Sequence, residues 1–161
     1  MTRAGSSSAI PDLDGKGLRI AIIGARFNDH IVTALRDGAL RGLERCGVAD
    51  NDIVEHWVPG AFEVPLAAKV LAETGTVDAI ICLGTVIRGD TPHFEYVCEA
   101  ATRGVQDAQM STGVPVMFGV LTLNTEQQAL DRSGPGIDNK GDEAAIGAVE
   151  MALLLKTIRN Y

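Results

Sequence analysis

Four short aliphatic runs alternate along the chain with longer segments in which apolar residues recur every three or four positions. The first run spans 18–23 and ends at Gly24, and the others span 52–58, 78–83 and 114–121. Runs of this length, bounded by turn residues, are typical of buried strands. Because these runs show little regular polar alternation, we expect a sheet that is covered on both faces.

The segments between these runs predict helices. They cover 30–46, 61–73, 92–110, 125–131 and 140–159. Asn28 or Asp29 can cap the first helix, and Gly47 is placed to end it. Thr91 followed by Pro92 predicts a helix start, with the threonine as the N-cap and the proline at the first helical position. The alternation of strands and helices predicts an α/β sandwich with a parallel sheet and right-handed crossovers.

Length and composition favour one compact domain, since the chain has 161 residues of which 46% are hydrophobic. We expect 1–16 to be a flexible N-terminal arm and 17–161 to form the single domain. The net charge of −7 argues against a nucleic-acid partner, which requires a basic surface. No apolar run approaches the roughly 20 residues of a membrane span, and the polar start lacks a secretory signal. We therefore expect a soluble cytoplasmic protein without a membrane partner.

The cysteines and histidines do not indicate a metal site. Cys46, Cys82 and Cys98 are odd in number, widely spaced and without a C-x-x-C pair, which argues against both disulfides and a zinc centre. The three histidines fall in different segments without the spacing of metal ligands.

Ligands of parallel α/β folds bind at the carboxyl ends of the strands, so we expect the site in the loops 24–29, 58–63, 84–93 and 122–126. The first loop lacks the G-x-G-x-x-G pattern of dinucleotide-binding folds. It contains Phe27, whose ring could stack on a flat heterocycle or pack on the core.

The second loop places Glu63 near a helix start. Its carboxylate could cap that helix or accept hydrogen bonds from a polyol.

The third loop carries the most chemical information. Its Gly84-x4-Gly89 spacing resembles half of an ATP-binding P-loop, but Asp90-Thr91 stands where Lys-Ser or Lys-Thr is required, so ATP binding is not favoured. The predicted helix that follows offers free N–H groups to an anion, although the Asp90 carboxylate would repel a phosphate unless it turns away. His93 in the first turn is either a neutral imidazole that accepts a proton or a solvated surface histidine.

Arg132 and Lys140 flank a glycine-rich turn near the end of the chain. Both could reach a phosphate, the arginine as a bidentate fork, or each could be a solvated surface charge.

Several of these segments together resemble the lumazine synthase family, in the same order and over about residues 15–160. They read GARFN at 24–28, PGAFEVP at 59–65, GTVIRGDTPHF at 84–94, GVLT at 119–122, NTEQQA at 124–129 and NKG at 139–141. The third of these is the most specific.

The resemblance implies a flavodoxin-like three-layer α/β sandwich with a central, mainly parallel four-stranded sheet flanked by helices. It also implies a transferase that condenses 5-amino-6-(D-ribitylamino)uracil with 3,4-dihydroxy-2-butanone 4-phosphate, the penultimate step of riboflavin biosynthesis. The assembly would be a homopentamer with active sites between adjacent subunits, and a higher assembly or a riboflavin synthase partner would be compatible with it. The family needs no metal and no organic cofactor.

By position, the resemblance implies roles for fourteen residues. Phe27 would stack on the pyrimidine ring, and His93 would transfer protons. The ribityl chain would be bound by Asn28, Ala61, Phe62 and Glu63, the ring edge by the backbone of Thr85, Val86 and Ile87, and the phosphate by Asp90, Thr91 and Arg132. Lys140 and Phe118 would approach the site, Phe118 from the neighbouring subunit.

Two departures from the family pattern bear on these roles. An acid at Asp90 would weaken phosphate binding, and the loop 133–138 lacks the basic stretch of shell-forming members, which leaves assembly beyond the pentamer open. The alternatives to the enzyme are a flavin-binding module without catalysis and a mainly structural shell protein.

Overall fold

The computed structural model describes residues 12–160 and contains the predicted strands and helices. In chain order the elements are β1 (Ile20–Ala25), α1 (Asp29–Arg45), β2 (Ile53–Val58), α2 (Val64–Glu73), β3 (Ala79–Ile87), α3 (His93–Thr112), β4 (Val116–Leu123), α4 (Glu126–Asp131) and α5 (Lys140–Arg159). Short 3-10 turns at Asp50–Asp52 and Ala61–Glu63 precede β2 and α2. The second of these replaces the start of the helix predicted over 61–73.

The sheet is parallel throughout, with the strand order β2-β1-β3-β4. Ile20 of β1 lies opposite Ile53 on one side and Ala79 on the other. The chain leaves β1 toward β2 and returns on the other side to β3. The β1–β3 boundary is therefore the topological switch point of the sheet, where open α/β sheets bind ligands.

Two helical layers sandwich the sheet and confirm the predicted three-layer architecture. Ile20 and Ile22 point into a cluster with α1 and α5, whereas the alternate residues Ala21 and Ile23 point into a second cluster with α2 and α3. Successive side chains of a strand face opposite sides of the sheet, so a strand between two apolar layers must be apolar at every position. This explains the continuous aliphatic run of β1.

The expectation that both faces of every strand are covered is wrong for β2. Val54 is 43% exposed and Trp57 is 38% exposed. The strand lies at the edge of the sheet, and the helices pack against β1, β3 and β4. Ile53 and Val58 pack against the two apolar clusters, but the helices cover this edge strand less fully than the other strands, which leaves Val54 and Trp57 partly exposed.

Helices α1 and α5 approach each other closely because glycines lie at their crossing. A Cβ added at Gly141 would overlap the Leu35 carbonyl oxygen, and a Cβ added at Gly38 would overlap the Asn139 side chain. Any larger residue at either position would force the helices apart.

Asn139 forms the N-cap of α5 and uses its whole amide. Its Oδ1 accepts from the backbone N–H groups of Gly141 and Asp142, at 2.8 and 3.3 Å. Its Nδ2 donates to the carbonyl oxygens of Ala34 and Gly134, at 3.0 and 2.8 Å. One buried side chain thereby joins α1, the loop before α5 and the first turn of α5.

The predicted arm over 1–16 lies mostly outside the described residues, because the structure does not describe 1–11. Within the rest of it, the N–H of Gly15 donates to the Cys46 carbonyl at 2.6 Å, and Leu13 packs against the core. Across 12–160, the structure contains no helix that is both long and apolar enough to cross a membrane.

Candidate active site

The carboxyl ends of the parallel strands meet at one edge of the sheet, and most of the predicted site residues follow them there. Strands β1 and β2 end side by side at Ala25 and Val58, whereas β3 and β4 remain paired as far as Ile87 and Leu123. Strands β3 and β4 therefore extend beyond β1 and β2, which gives the edge a step. The loops after β1 and β2 lie on its lower side, and the start of α3 follows the longer strands on its higher side.

Phe27 projects from the loop after β1. The N–H of Arg26 donates to the Val58 carbonyl at 2.8 Å, and the N–H of Phe27 donates to the Pro59 carbonyl at 3.1 Å. These bonds fasten the backbone to the loop after β2 while the Phe27 ring stays 71% exposed. The alternative that the ring packs on the core is wrong, and its faces are free to stack on a ligand.

Asn28 occupies the N-cap position of α1, but its side chain does not cap the helix. Its backbone is left-handed, with φ of 61°. Its Nδ2 instead donates to the Thr85 carbonyl at 3.0 Å, which joins the loop after β1 to β3 at the switch point. The predicted capping role is wrong because the amide is turned toward the sheet. Thr85 itself is 3% exposed, and its hydroxyl has no hydrogen-bond partner among the described residues.

The loop after β2 presents an aromatic ring and a carboxylate beside each other. Ala61 is buried, Phe62 is 62% exposed and Glu63 is exposed. Glu63 lies at the N-cap position of α2 without a side-chain cap bond, so the capping alternative is wrong. Within 12–160 its carboxylate has no side-chain hydrogen bond or ion pair. It therefore remains free to accept hydrogen bonds from ligand hydroxyls.

The end of β3 is formed by Val86 and Ile87, both half-buried, and leads across Asp90 and Thr91 into α3. The structure places Pro92 in the N-cap position, one residue later than predicted, so that α3 begins at His93. The Thr91 hydroxyl accepts from the His93 N–H at 3.4 Å.

His93 is thus the first residue of a 20-residue helix. Its imidazole is exposed and makes no hydrogen bond to another described residue. The backbone N–H groups of that first turn lie beside it, with the positive end of the helix dipole, and those of His93 and Glu95 donate to Thr91 and Pro92.

Sequence reasoning missed Arg88, the residue that follows β3. Its Nε donates to Asn124 Oδ1 at 2.8 Å, its Nη1 pairs with Glu95, and its guanidinium lies 4.4 Å from the centroid of the Phe94 ring. The guanidinium also lowers the pKa of the Glu95 carboxyl below its ordinary value, mainly through this hydrogen bond. The sequence signal that could have identified Arg88 is a positively charged residue between a predicted strand and the start of a predicted helix.

Arg132 and Lys140 form a separate pair around the turn before α5. The N–H of Lys140 donates to the Arg132 carbonyl at 2.9 Å. Arg132 Nη1 donates to the Gln128 carbonyl at 3.0 Å, and Lys140 Nζ pairs with Glu143 at 2.8 Å. Among the described residues, no hydrogen bond joins either side chain to the loop that carries His93. The remaining guanidinium donors of Arg132 are free for an anion.

The structure does not bring Phe118 to the carboxyl-end edge of its own chain. Phe118 lies within β4 opposite Cys82 and is 42% exposed. It is five residues from the end of β4, which corresponds to roughly 16 Å along a strand.

The site edge is open in a single chain and is separate from a groove on one helical layer. A groove of about 410 Å³ between α2 and α3 is lined by Pro65, Leu66, Lys69, Gly104, Asp107, Ala108 and Ser111, none of which is a predicted site residue. We give more weight to the edge, because that groove contains no group suited to acid–base chemistry beyond one exposed Lys and one Asp. In the range 12–160, no group of three or more His, Cys, Asp or Glu is placed to hold a metal ion.

The model of the 6,7-dimethyl-8-ribityllumazine synthase family matches residues 17–156, which include every predicted site residue. The chain belongs to the 6,7-dimethyl-8-ribityllumazine synthase family. Membership in this family implies lumazine synthesis within riboflavin biosynthesis, carried out by a transferase-type enzyme on small-molecule substrates. The parallel four-stranded sheet between two helical layers agrees with the fold expected from the resemblance.

Proposed function

We propose that the chain condenses 5-amino-6-(D-ribitylamino)uracil with 3,4-dihydroxy-2-butanone 4-phosphate to form 6,7-dimethyl-8-ribityllumazine, releasing phosphate and water. One observation carries the proposal. The free ring of Phe27, the unpaired carboxylate of Glu63 and the exposed head of α3 with His93 all follow strand ends at one edge of the sheet. A flat ring, a polyol and an anion each find a matching group there.

The pyrimidine substrate would bind on the lower side of the step. Phe27 would stack on its ring, and the backbone of 85–87 would bind the ring edge. The ribityl chain would extend along the loop after β2, where Glu63 accepts from its hydroxyls. Asn28, Ala61 and Phe62 would form the walls around it. The exposure of both phenyl rings supports this assignment, because stacking on a ligand recovers apolar burial that the single chain lacks.

The butanone phosphate would bind at the head of α3. The backbone N–H groups at the head of α3, the Thr91 hydroxyl and the backbone of Asp90 would contact the phosphate. Arg132 would supply the fixed positive charge, with Lys140 nearby. These local donors must offset the net charge of −7, and the Asp90 carboxylate must face away from the anion.

The chemistry requires repeated proton transfers. The primary amine of the pyrimidine attacks the ketone and loses water to form an imine, and phosphate leaves as an enol develops. The enol tautomerises to a ketone, which the second amine attacks with loss of a second water as the ring closes. His93 would move protons between these groups. Holding two substrates together would contribute more, because proximity supplies about 7–11 kcal/mol of the barrier. The substitution His93→Ala should therefore slow the reaction without abolishing it.

We also propose a cytoplasmic homopentamer in which the neighbouring subunit contributes Phe118. The exposure of Phe118 away from its own site edge supports this arrangement. Particle sizing would show whether pentamers assemble further, and co-purification would show whether the protein associates with riboflavin synthase. Neither a metal nor an organic cofactor is part of the proposed reaction.

The direct test mixes both substrates with the purified chain and records lumazine fluorescence and free phosphate against a protein-free blank. We expect both products to form in equal amounts, faster than in the blank. Tight riboflavin binding with no acceleration would replace the enzyme by the flavin-binding alternative. A large particle with neither property would favour the structural alternative.

A further inference from the structure

Arg88 links the first turn of α3 to the ends of strands β3 and β4. Its backbone N–H donates to the Leu123 carbonyl at 2.8 Å, which extends the pairing of β3 with β4 by one residue. The residue is thereby fixed to the sheet. Its side chain reaches in two directions, to Asn124 after β4 and to Phe94 and Glu95 in α3.

The three side-chain contacts use different parts of one guanidinium. Nε donates to Asn124, Nη1 pairs with Glu95, and the planar face stacks on Phe94. Only a rigid, planar fork can make all three at once, because a lysine ammonium is a single point charge on a flexible stem. The site therefore calls for an arginine and not merely for a positive charge.

The first turns of α3 pack on the core less than its middle does, although Val97 in the second turn contacts the cluster between the sheet and the α2–α3 layer. The fully buried residues of this helix begin at Ala101, two turns after His93, and continue with Val105 and Ala108. In the first two turns every side chain is exposed or half-buried. Core packing therefore anchors the middle of α3, and Arg88 supplies the side-chain link between its head and the sheet.

From these contacts we propose that Arg88 is a positioning residue, which acts on the reaction by holding His93 at a fixed place on the sheet edge. This inference rests on the proposed function. Arg88 itself does not touch the substrates in this scheme. Phe94 and Glu95 follow His93 directly in the chain, so a contact with them fixes the backbone that carries the imidazole.

The Glu95 side of this contact keeps its charge at neutral pH. Arg88 lowers the pKa of Glu95, so the carboxylate remains charged at neutral pH. The positioning contact should therefore not vary between pH 6 and 8, and any change in the pH profile there would come from other groups.

A double-mutant cycle tests whether Arg88 acts through His93. Arg88→Ala should lower kcat by about tenfold, within the range that misplacing a catalytic group produces, and should leave KM for the pyrimidine substrate within about twofold. Introduced into His93→Ala, the same substitution should cost less than about twofold, because the group it positions is already absent. Arg103→Ala is the matched control, since Arg103 pairs with Glu99 on the same helix and should leave kcat unchanged.

Equal losses in the wild-type and His93→Ala backgrounds would overturn the proposal, as would an unchanged kcat in Arg88→Ala. Arg88→Lys should resemble Arg88→Ala, and full activity in Arg88→Lys would show that charge alone suffices. If Arg88→Ala does not fold, Asn124→Ala and Glu95→Gln each remove one contact and should each give a smaller loss that again depends on His93.

Amide hydrogen exchange separates this inference from the proposed function. If the wild-type chain makes no lumazine, the proposed function has failed. The link itself is still measurable, because Arg88→Ala should speed exchange in the first turns of α3 by about tenfold while residues 101–108 keep their wild-type exchange rates. Unchanged exchange at the head of α3 would show that Arg88 does not hold it.

Discussion

The structural role of a side chain in this protein depends on its contact partners more than on its residue type. Asn28 and Asn139 both occupy N-cap positions, yet only Asn139 caps its helix, whereas Asn28 donates to β3. The difference follows from the backbone. Asn28 is left-handed, so its amide points away from the helix and toward the sheet. Residue type alone predicts the cap position but not the direction of the side chain.

Asn139→Ala should destabilise the fold by about 2–4 kcal/mol, because it leaves two buried N–H groups and two half-buried carbonyl oxygens without their partner. Chemical denaturation measures this change. Asn51→Ala is the control, since Asn51 is exposed in the 3-10 turn before β2, and should stay within about 0.5 kcal/mol. A loss below about 1 kcal/mol for Asn139→Ala would mean that water replaces these bonds.

At the scale of elements, the pair Arg36–Glu55 ties α1 to the partly exposed edge strand β2. Arg36 donates to both carboxylate oxygens of Glu55, at 2.5 and 2.8 Å. The hydrogen bonds from Arg36 lower the pKa of Glu55, and the same pairing raises the pKa of Arg36. A lowered carboxyl pKa means that the folded state prefers the ionised form.

The pair should therefore stabilise the fold at neutral pH and lose its effect in acid. Above the ordinary glutamate pKa its contribution is fully present, and it disappears as the pH falls through the lower folded-state pKa. We expect Glu55→Gln to cost about 1 kcal/mol at pH 7. The cost should vanish as the pH falls from about 5 to about 2, as measured by denaturation at each pH. Glu73→Gln, in an exposed pair with Lys69, should show no such dependence.

Local patterns suffice to predict the helices and strands. Buried parallel strands leave continuous aliphatic runs in the sequence, whereas helices leave apolar residues every three or four positions. The start of every strand is predicted within two residues, and the bounds of α5 agree at both ends. The exposure of β2 could not be predicted, since it depends on which strand lies at the edge. The contact of Arg88 with Asn124 spans 36 positions, beyond the reach of a local pattern.

The candidate site shows the same division. The sequence predicts that the loops carrying Phe27, Glu63 and His93 lie together, because parallel strands all end at one edge of the sheet. The sequence did not show that the side chains of Phe27 and Glu63 are exposed and unpaired, because core packing of the ring and helix capping by the carboxylate were also compatible with it. Phe118 and Arg132 illustrate the limit most clearly, because nothing local tells whether they face their own site or another copy's.

At the scale of the whole molecule, the candidate site of a single chain is open to solvent. Phe27, Phe62 and Phe118 are all substantially exposed, and the edge of the sheet is not enclosed. The proposed homopentamer would cover this surface and bring Phe118 of one copy to the edge of the next. The native mass should then correspond to five chains of 17.0 kDa or a multiple of five.

Mixing two variants tests the shared site. His93→Ala and Phe118→Ala should each have reduced kcat/KM, and refolding them together should restore activity above either alone, because some sites in mixed assemblies combine an intact edge with an intact neighbouring Phe118. Mixing without refolding is the control. Activity that remains the simple average of the two variants would mean that each chain supplies its whole site.

Calorimetric titration of two ligands onto three proteins tests most directly whether one edge of the sheet holds the ring and the phosphate at separate places. The ligands are the ribitylaminopyrimidine and inorganic phosphate, and the proteins are wild type, Phe27→Ala and Arg132→Ala. We expect Phe27→Ala to weaken pyrimidine binding by about tenfold with phosphate affinity retained. Arg132→Ala should weaken phosphate binding by about tenfold or more with pyrimidine affinity retained. Unchanged phosphate affinity in Arg132→Ala, or unchanged pyrimidine affinity in Phe27→Ala, would contradict the site described for this chain.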